Sequence, residues 1–298
     1  MRTKTYLFAL MAMALTLGSC SNDENGIGGE TSKYITVSTR IGNMTRVATD
    51  ANGGQTFEEG DEISVYAWTG DATVAPETSE RVVNNAINKL TNGSWVSTPQ
   101  MLWKNNRDNH YFIGVYPTAA ISDLTAGEYT FDVTKQEESD LLVAVNTDGI
   151  SYNADEQQTV PLTFTHVMAK LVVNLTYKNQ WGADGPTVEK VVVGNAAKEA
   201  TVNYLTKVVT PSTTIKEDIS LPEITENTKY VSVIIPQEEV KQLTIVIGGK
   251  NYIYDNGTPF KLESGKITTI NLEVGRDEIK LGEVKISDWE EGSTFNGE

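Results

Sequence analysis

Short runs in which apolar and polar residues alternate recur along almost the whole chain and restrict it to an all-β fold. YITVSTRI (Tyr34–Ile41) sets Ile35 and Val37 against Thr36 and Ser38. DEISVYAW (Asp61–Trp68) puts Ile63, Val65 and Ala67 on one face and Tyr66 and Trp68 on the other. HYFIGVYP, YTFDV, DLLVAV, LTFTHVMAKLVVNLTY, EKVVVGN, ATVNYLT, KYVSVIIP, QLTIVIGGKNYIYD, KITTINLEV and GEVKISDW continue the series. These runs are rich in Val, Ile, Thr and Tyr, which suit a pleated, half-buried surface, and turn residues separate them. Asn92-Gly93, Gly248-Gly249 and Asn256-Gly257 are hairpin dipeptides, because tight hairpin turns need positive φ. Helix signals are few: Arg81–Leu90 reads as a hairpin arm or short helical turns, and a short helix is allowed near Ser122–Leu124. Regular short strands of this kind build sandwiches or barrels.

Length divides the chain further. About 265 residues follow Lys33, enough for one large core or two ordinary ones. Strand series of similar length flank the polar stretch Asn153–Pro161. The expected organisation is therefore an N-terminal β-sandwich over residues 34–160 and a C-terminal one over residues 161–298. Residues 20–33 are polar and glycine-rich and read as a flexible tether.

The first nineteen residues read as a targeting segment. Arg2 and Lys4 precede an apolar run, Tyr6–Leu17, that is too short to span a bilayer as a helix. Leu17-Gly18-Ser19-Cys20 then looks like a bacterial lipobox, in which the cysteine becomes the acylated mature N-terminus. Cys20 is the only cysteine, so no intramolecular disulfide forms despite export. Each buried methylene of an acyl chain contributes roughly 0.8 kcal/mol, so several chains hold a protein firmly on a membrane. Asp23 and Glu24 resemble the surface-export signal of Bacteroidetes lipoproteins and favour the outer face of the outer membrane. Loss of Arg2 and Lys4 leaves 22 basic residues against 40 acidic ones, a net charge of −18. Such a surface repels phosphate and argues against nucleic acid and anionic lipid surfaces as partners.

Catalytic chemistry finds little support. The two histidines, His110 and His166, have no His or Cys at ligand spacing, so no metal site is expected. His166 reads as a hydrogen-bonded structural residue on a strand face. P-loop, dinucleotide and nucleophile-elbow motifs are missing, and no cofactor is expected. The carboxylate pairs Glu58-Glu59, Glu137-Glu138, Glu238-Glu239 and Glu290-Glu291 are adjacent residues in acidic turns. They do not show the separation across a sugar that glycoside hydrolysis needs. Trp68, Trp95, Trp103, Trp181 and Trp289 are candidates for stacking on glycans, with core packing as the competing reading. Arg46, between the first strand and a Gly/Asn-rich stretch, is a natural cut site for a trypsin-like protease, and Arg40 is the second candidate.

Several segments together resemble the fimbrillin-like proteins of Bacteroidetes. TRVATDANGGQTFEEGDEISVYAW is similar to their T-R-x…F-x-x-G-D-x-I-x-V-Y-A stretch. GSWVSTPQMLWKNNRDNHYFIGVYP is similar to their W…L-x-W…Y-x-F-x-x-Y-P stretch. DLLVA, LTFTHVMAKLVVNL, VIIPQ, LESGKITTINLEV and VKISDWEEG follow in the same order, so the likeness runs from Tyr34 to Gly292. The resemblance implies two transthyretin-like β-sandwich domains and a non-enzymatic role as stalk, tip or anchor subunit of a type V pilus. It implies lipidation at Cys20, cleavage after Arg46 by an arginine-specific protease, and departure of the strand Tyr34–Ile41. It also implies partners: other pilus subunits that exchange strands, and a host or bacterial surface receptor for adhesion. The chain ends SDWEEGSTFNGE, with few apolar residues after Trp289, whereas a stalk subunit is expected to carry a longer apolar donor strand. A permanently tethered surface lipoprotein that binds glycan or another ligand without polymerising is the alternative function.

Overall fold

The computed structural model describes residues 33–42, 57–153, 158–182, 185–255 and 257–289, all within the compact unit Thr31–Glu298. The expected all-β fold is the fold observed. The first half contributes β1 (Thr36–Ile41), β2 (Glu62–Thr69), β3 (Val83–Thr91), β4 (Ser94–Thr98), β5 (His110–Tyr116), β6 (Gly127–Thr130), β7 (Leu142–Ile150) and β8 (Thr159–His166). The middle of the chain follows with β9 (Ala169–Tyr177), β10 (Val188–Ala197), β11 (Glu199–Asn203), β12 (Val208–Pro211), β13 (Lys216–Leu221) and β14 (Glu223–Thr225). The last are β15 (Lys229–Ile234), β16 (Gln242–Ile247), β17 (Lys250–Asp255), β18 (Lys266–Val274) and β19 (Ile279–Asp288). Among the described residues the helical content is one 3-10 turn, Thr78–Glu80. Arg81–Leu90 is therefore a hairpin arm, and Ser122–Leu124 is not helical. Asn92 and Gly93 take positive φ between β3 and β4, as Gly248 and Gly249 do between β16 and β17. Asn256 lies outside the described residues.

One large sheet runs in the order β1-β8-β7-β5-β2-β3-β4. Its central strands β2 and β5 are buried on both faces, so the two faces of β2 that alternate in sequence belong to two cores. Ile63, Val65 and Ala67 join an inner cluster with Phe112, Leu142, Ala144 and Phe164. Tyr66 and Trp68 point the other way, into a larger cluster that includes Ile113, Val115 and Val143 and continues through the second half. That second half has sheets of order β14-β15-β9-β18-β19 and β13-β10-β16-β17, whose rows Leu171/Val173/Leu175 and Leu243/Ile245/Ile247 share the larger cluster. A three-stranded sheet, β12-β11-β6, pairs strands from both halves.

The run LTFTHVMAKLVVNLTY is two strands. β8 ends at His166, Val167 and Met168 intervene, and β9 starts at Ala169 in a different sheet. Val167 N–H donates to Leu141 O while Gly265 N–H donates to Met168 O, so the break is anchored on both sides. Residues 160 and 161 lie inside β8.

Close approach of strands favours glycine at position 114. A Cβ on Gly114 of β5 would lie 2.6 Å from Phe164 Cζ and 3.2 Å from Leu162 Cδ1. The Phe164 ring is itself braced edge-on by Phe57 at 5.1 Å. Overpacking of this kind costs about 1–3 kcal/mol. Gly114→Ala should lower stability by that amount, read as a shifted midpoint in urea unfolding.

Candidate functional site at the first strand

The two histidines occupy separate surroundings. His110 is fully buried at the start of β5. His166 holds Asp140 through Nδ1 at 2.8 Å and stacks on Trp289 with ring centroids 4.1 Å apart, in keeping with a structural role. Among the described residues no group of three or more His, Cys, Asp or Glu side chains is placed to hold a metal ion. No described helix is long and apolar enough to cross a membrane. Trp68 and Trp103 are buried. Trp95, Trp181 and Trp289 are partly buried, each packed against one of the two cores. Core packing thus engages all five tryptophans, fully for Trp68 and Trp103 and in part for Trp95, Trp181 and Trp289.

The arrangement that stands out is β1 and the slot it fills. β1 pairs with β8 in parallel, Val37 beside Val160, Thr39 beside Leu162 and Ile41 beside Phe164. Parallel neighbours share a face, and this face is the inner core. Ile35, Val37 and Ile41 are only 2%, 6% and 8% exposed, while Ser38 and Arg40 point to solvent. The alternation legible in the sequence is therefore an apolar row set into a core. Burying three such side chains contributes about 5–9 kcal/mol.

The other flank of β1 is held by the segment after β4. Ile35 N–H donates to Met101 O at 3.0 Å, and Trp103 N–H donates to Lys33 O at 3.2 Å. Tyr34 and Leu102 form an antiparallel bridge there. Thr39 breaks the apolar row for a reason the sequence did not reveal: Trp95 Nε1–H donates to its hydroxyl at 3.0 Å. Beyond Ile41, Gly42 N–H donates to Phe164 O at 2.8 Å. β1 is thus bonded on both sides, yet its nearest partners in sequence lie some sixty residues away. Taking it out would bare Met101, Trp103, Leu162 and Phe164 together with unpaired backbone groups of β8. Such a slot is complementary to any strand carrying an alternating apolar row.

The named processing residues sit differently. Cys20 and Arg46 lie outside the described residues. Arg40 lies within β1, and its Nε–H donates to Thr163 Oγ1 at 2.7 Å. Met101, Trp103, Phe57 and Phe164 complete the slot. Trp103 was legible only as a candidate glycan platform, and the other three carried no functional signal beyond lying in or beside the L-x-W, F-x-x-G-D and LTFTHVMAKLVVNL stretches of the family likeness.

Toward the far end of the chain, β18 is the one strand among the described residues that pairs with β19. Leu281, Val284 and Ile286 lie opposite the buried Leu272, Ile270 and Thr268, yet they remain 36–39% exposed. The strand closes one edge of its sheet with an apolar row that remains partly exposed.

Comparison with known proteins places this architecture. A candidate cell-adhesion protein from Bacteroides uniformis is 20% identical, covers 87% of this chain and 100% of its own, and superposes with a TM-score of 0.64. One from Bacteroides ovatus is 19% identical, covers 86% and 98%, and reaches 0.62. A fimbrial protein from Bacteroides vulgatus is 14% identical, covers 85% and 99%, and reaches 0.53. At these identities the likeness is one of fold. No curated protein matches the chain. The model of the fimbrillin-like family matches residues 45–289, from just beyond β1 to Trp289. Because that match takes in most of the sequence and both halves of the structure, this chain belongs to the fimbrillin-like family.

Proposed function

We propose that this chain is a structural subunit of a type V pilus that serves adhesion, delivered to the outer membrane surface as a lipoprotein acylated on Cys20. An arginine-specific, trypsin-like protease cuts after Arg46. β1 then leaves with the lipid, and a strand from a neighbouring subunit takes its place beside β8. The observation that carries this reading is the slot: an N-terminal strand seated in the inner core, bonded on both flanks and joined to the body only through the stretch containing Arg46. Phe57, on the far side of that cut, packs against Trp95, Tyr116 and Phe164 and would stay with the body.

The choice between the two arginines follows from pairing. A protease needs its substrate extended in its own cleft, and Arg40 is committed to a sheet. β19 is the strand best suited to donation, since it has one partner strand and an under-buried apolar row. We read the chain as two sandwich halves joined where β8 passes into β9. Association with other subunits and a place on the cell-surface fimbrium follow from the same reading, as does a structural rather than enzymatic role.

N-terminal sequencing of the surface form tests the scheme. Val47 as first residue supports processing, and Cys20 as first residue supports the permanently tethered glycan-binding alternative. Arg46→Ala should leave the uncut, lipidated chain and abolish SDS-resistant ladders; ladders built from uncut chain would refute strand exchange. Val37→Asp places a carboxylate in the inner core, an unfavourable burial. It should free β1 and release Arg40 from the sheet, so that brief treatment with an arginine-specific protease yields a second product starting at Ile41 by mass spectrometry. The wild-type precursor should resist cleavage there.

A further inference from the structure

A buried histidine stands behind the segment that clasps β1. His110 is fully buried where β5 pairs with Thr69 of β2 and Ile150 of β7. The backbone N–H of Lys104 donates to its Nε2 at 3.1 Å. A backbone N–H can only donate, so this bond exists only while Nε2 keeps its lone pair and the imidazole is neutral. The residue before Lys104 is Trp103, whose own N–H holds Lys33 O. Its ring meets His110 edge-on at 5.0 Å and belongs to the same cluster as Ile35 and Val37. Two positions further back, Met101 O accepts from Ile35 N–H. His110 therefore fixes one end of a four-residue clasp, and β1 is held by the rest of it.

We propose that His110 is a proton-operated catch on β1: neutral, it pins Met101–Lys104 against the strand, and protonated, it releases the clasp and loosens β1. On protonation Nε2–H would face Lys104 N–H, two donors with no acceptor between them. The surroundings set the sign. Burial, the largest influence, pushes the His110 pKa below the ordinary histidine value. Lys104 pushes the same way, while backbone groups of Asp108 and Ile150 and the Asp108 carboxylate oppose it. A base whose folded pKa is depressed contributes stability that is present above its unfolded value of about 6.5 and is lost as pH falls through the folded pKa. Loosening is thus expected on the acidic side of about 6.5. The inference concerns the strand in its slot and holds whether or not the chain is cut after Arg46.

Hydrogen exchange of the full, uncut chain tests it, with rates corrected for the intrinsic pH dependence. Between about pH 7.5 and about pH 5, protection of residues 33–42 should fall about tenfold relative to residues 266–274 in β18, the effect of losing one buried hydrogen bond. His110→Gln supplies an uncharged acceptor for Lys104 N–H and should remove that pH dependence. An unchanged wild-type β1, an equal loss in His110→Gln, or a parallel loss in β18 would overturn the proposal. NMR titration of the wild-type chain, whose only other histidine is His166, gives a second check independent of any variant. β1 loosening must set in below about pH 6.5 and level off below the His110 midpoint, and loosening outside that window refutes the catch.

Discussion

The parallel pairing of β1 with β8 is the contact on which the architecture of the first half depends. It joins Thr36 to Thr159 and Ile41 to Phe164, residues more than a hundred positions apart, with no turn between the strands. Closing so long a loop carries an entropic cost that grows only slowly with its length. The apolar row of β1 and the ladder on its flanks offset that cost. Because no hairpin ties β1 to a neighbour, the strand is held by burial and hydrogen bonds alone. That is what makes it a replaceable part of an otherwise closed core.

The second half follows from the first through continuity of the chain. β8 ends at His166 and β9 starts at Ala169, and each has a parallel partner, β1 in one sheet and β18 in the other. From β18 the chain turns back into β19, the exposed final strand. A strand seated beside β8 is therefore linked to β19 through β8, β9 and β18. The β6–β11 ladder adds a crossing between the halves. Gly127 is needed there because a Cβ would meet Tyr204 Cε2 at 2.5 Å.

Much of the fold was legible because strand periodicity is local. Alternation in YITVSTRI set Ile35 and Val37 on one face, and both are buried. Hairpin dipeptides at Asn92-Gly93 and Gly248-Gly249 marked real turns, since positive φ is a property of the residues themselves. The break between β8 and β9 was not legible. LTFTHVMAKLVVNLTY is apolar and β-branched throughout, and Val167 and Met168 resemble their neighbours; only their backbone partners, Leu141 and Gly265, separate the strands. The two faces of β2 were legible as faces, whereas the presence of a core behind each was not.

By itself, the sequence determined that the chain is all-β, acidic, marked by a single N-terminal cysteine and similar in motif order to fimbrillin-like proteins. These properties reside in single residues or short windows. Tertiary structure alone decided that β1 lies between β8 and Met101–Trp103, that Trp95 bonds Thr39, and that a neutral His110 holds Lys104. Each of these contacts depends on which distant backbone comes within hydrogen-bonding distance. A sequence pattern states what a strand can bury but does not state which strand will lie beside it.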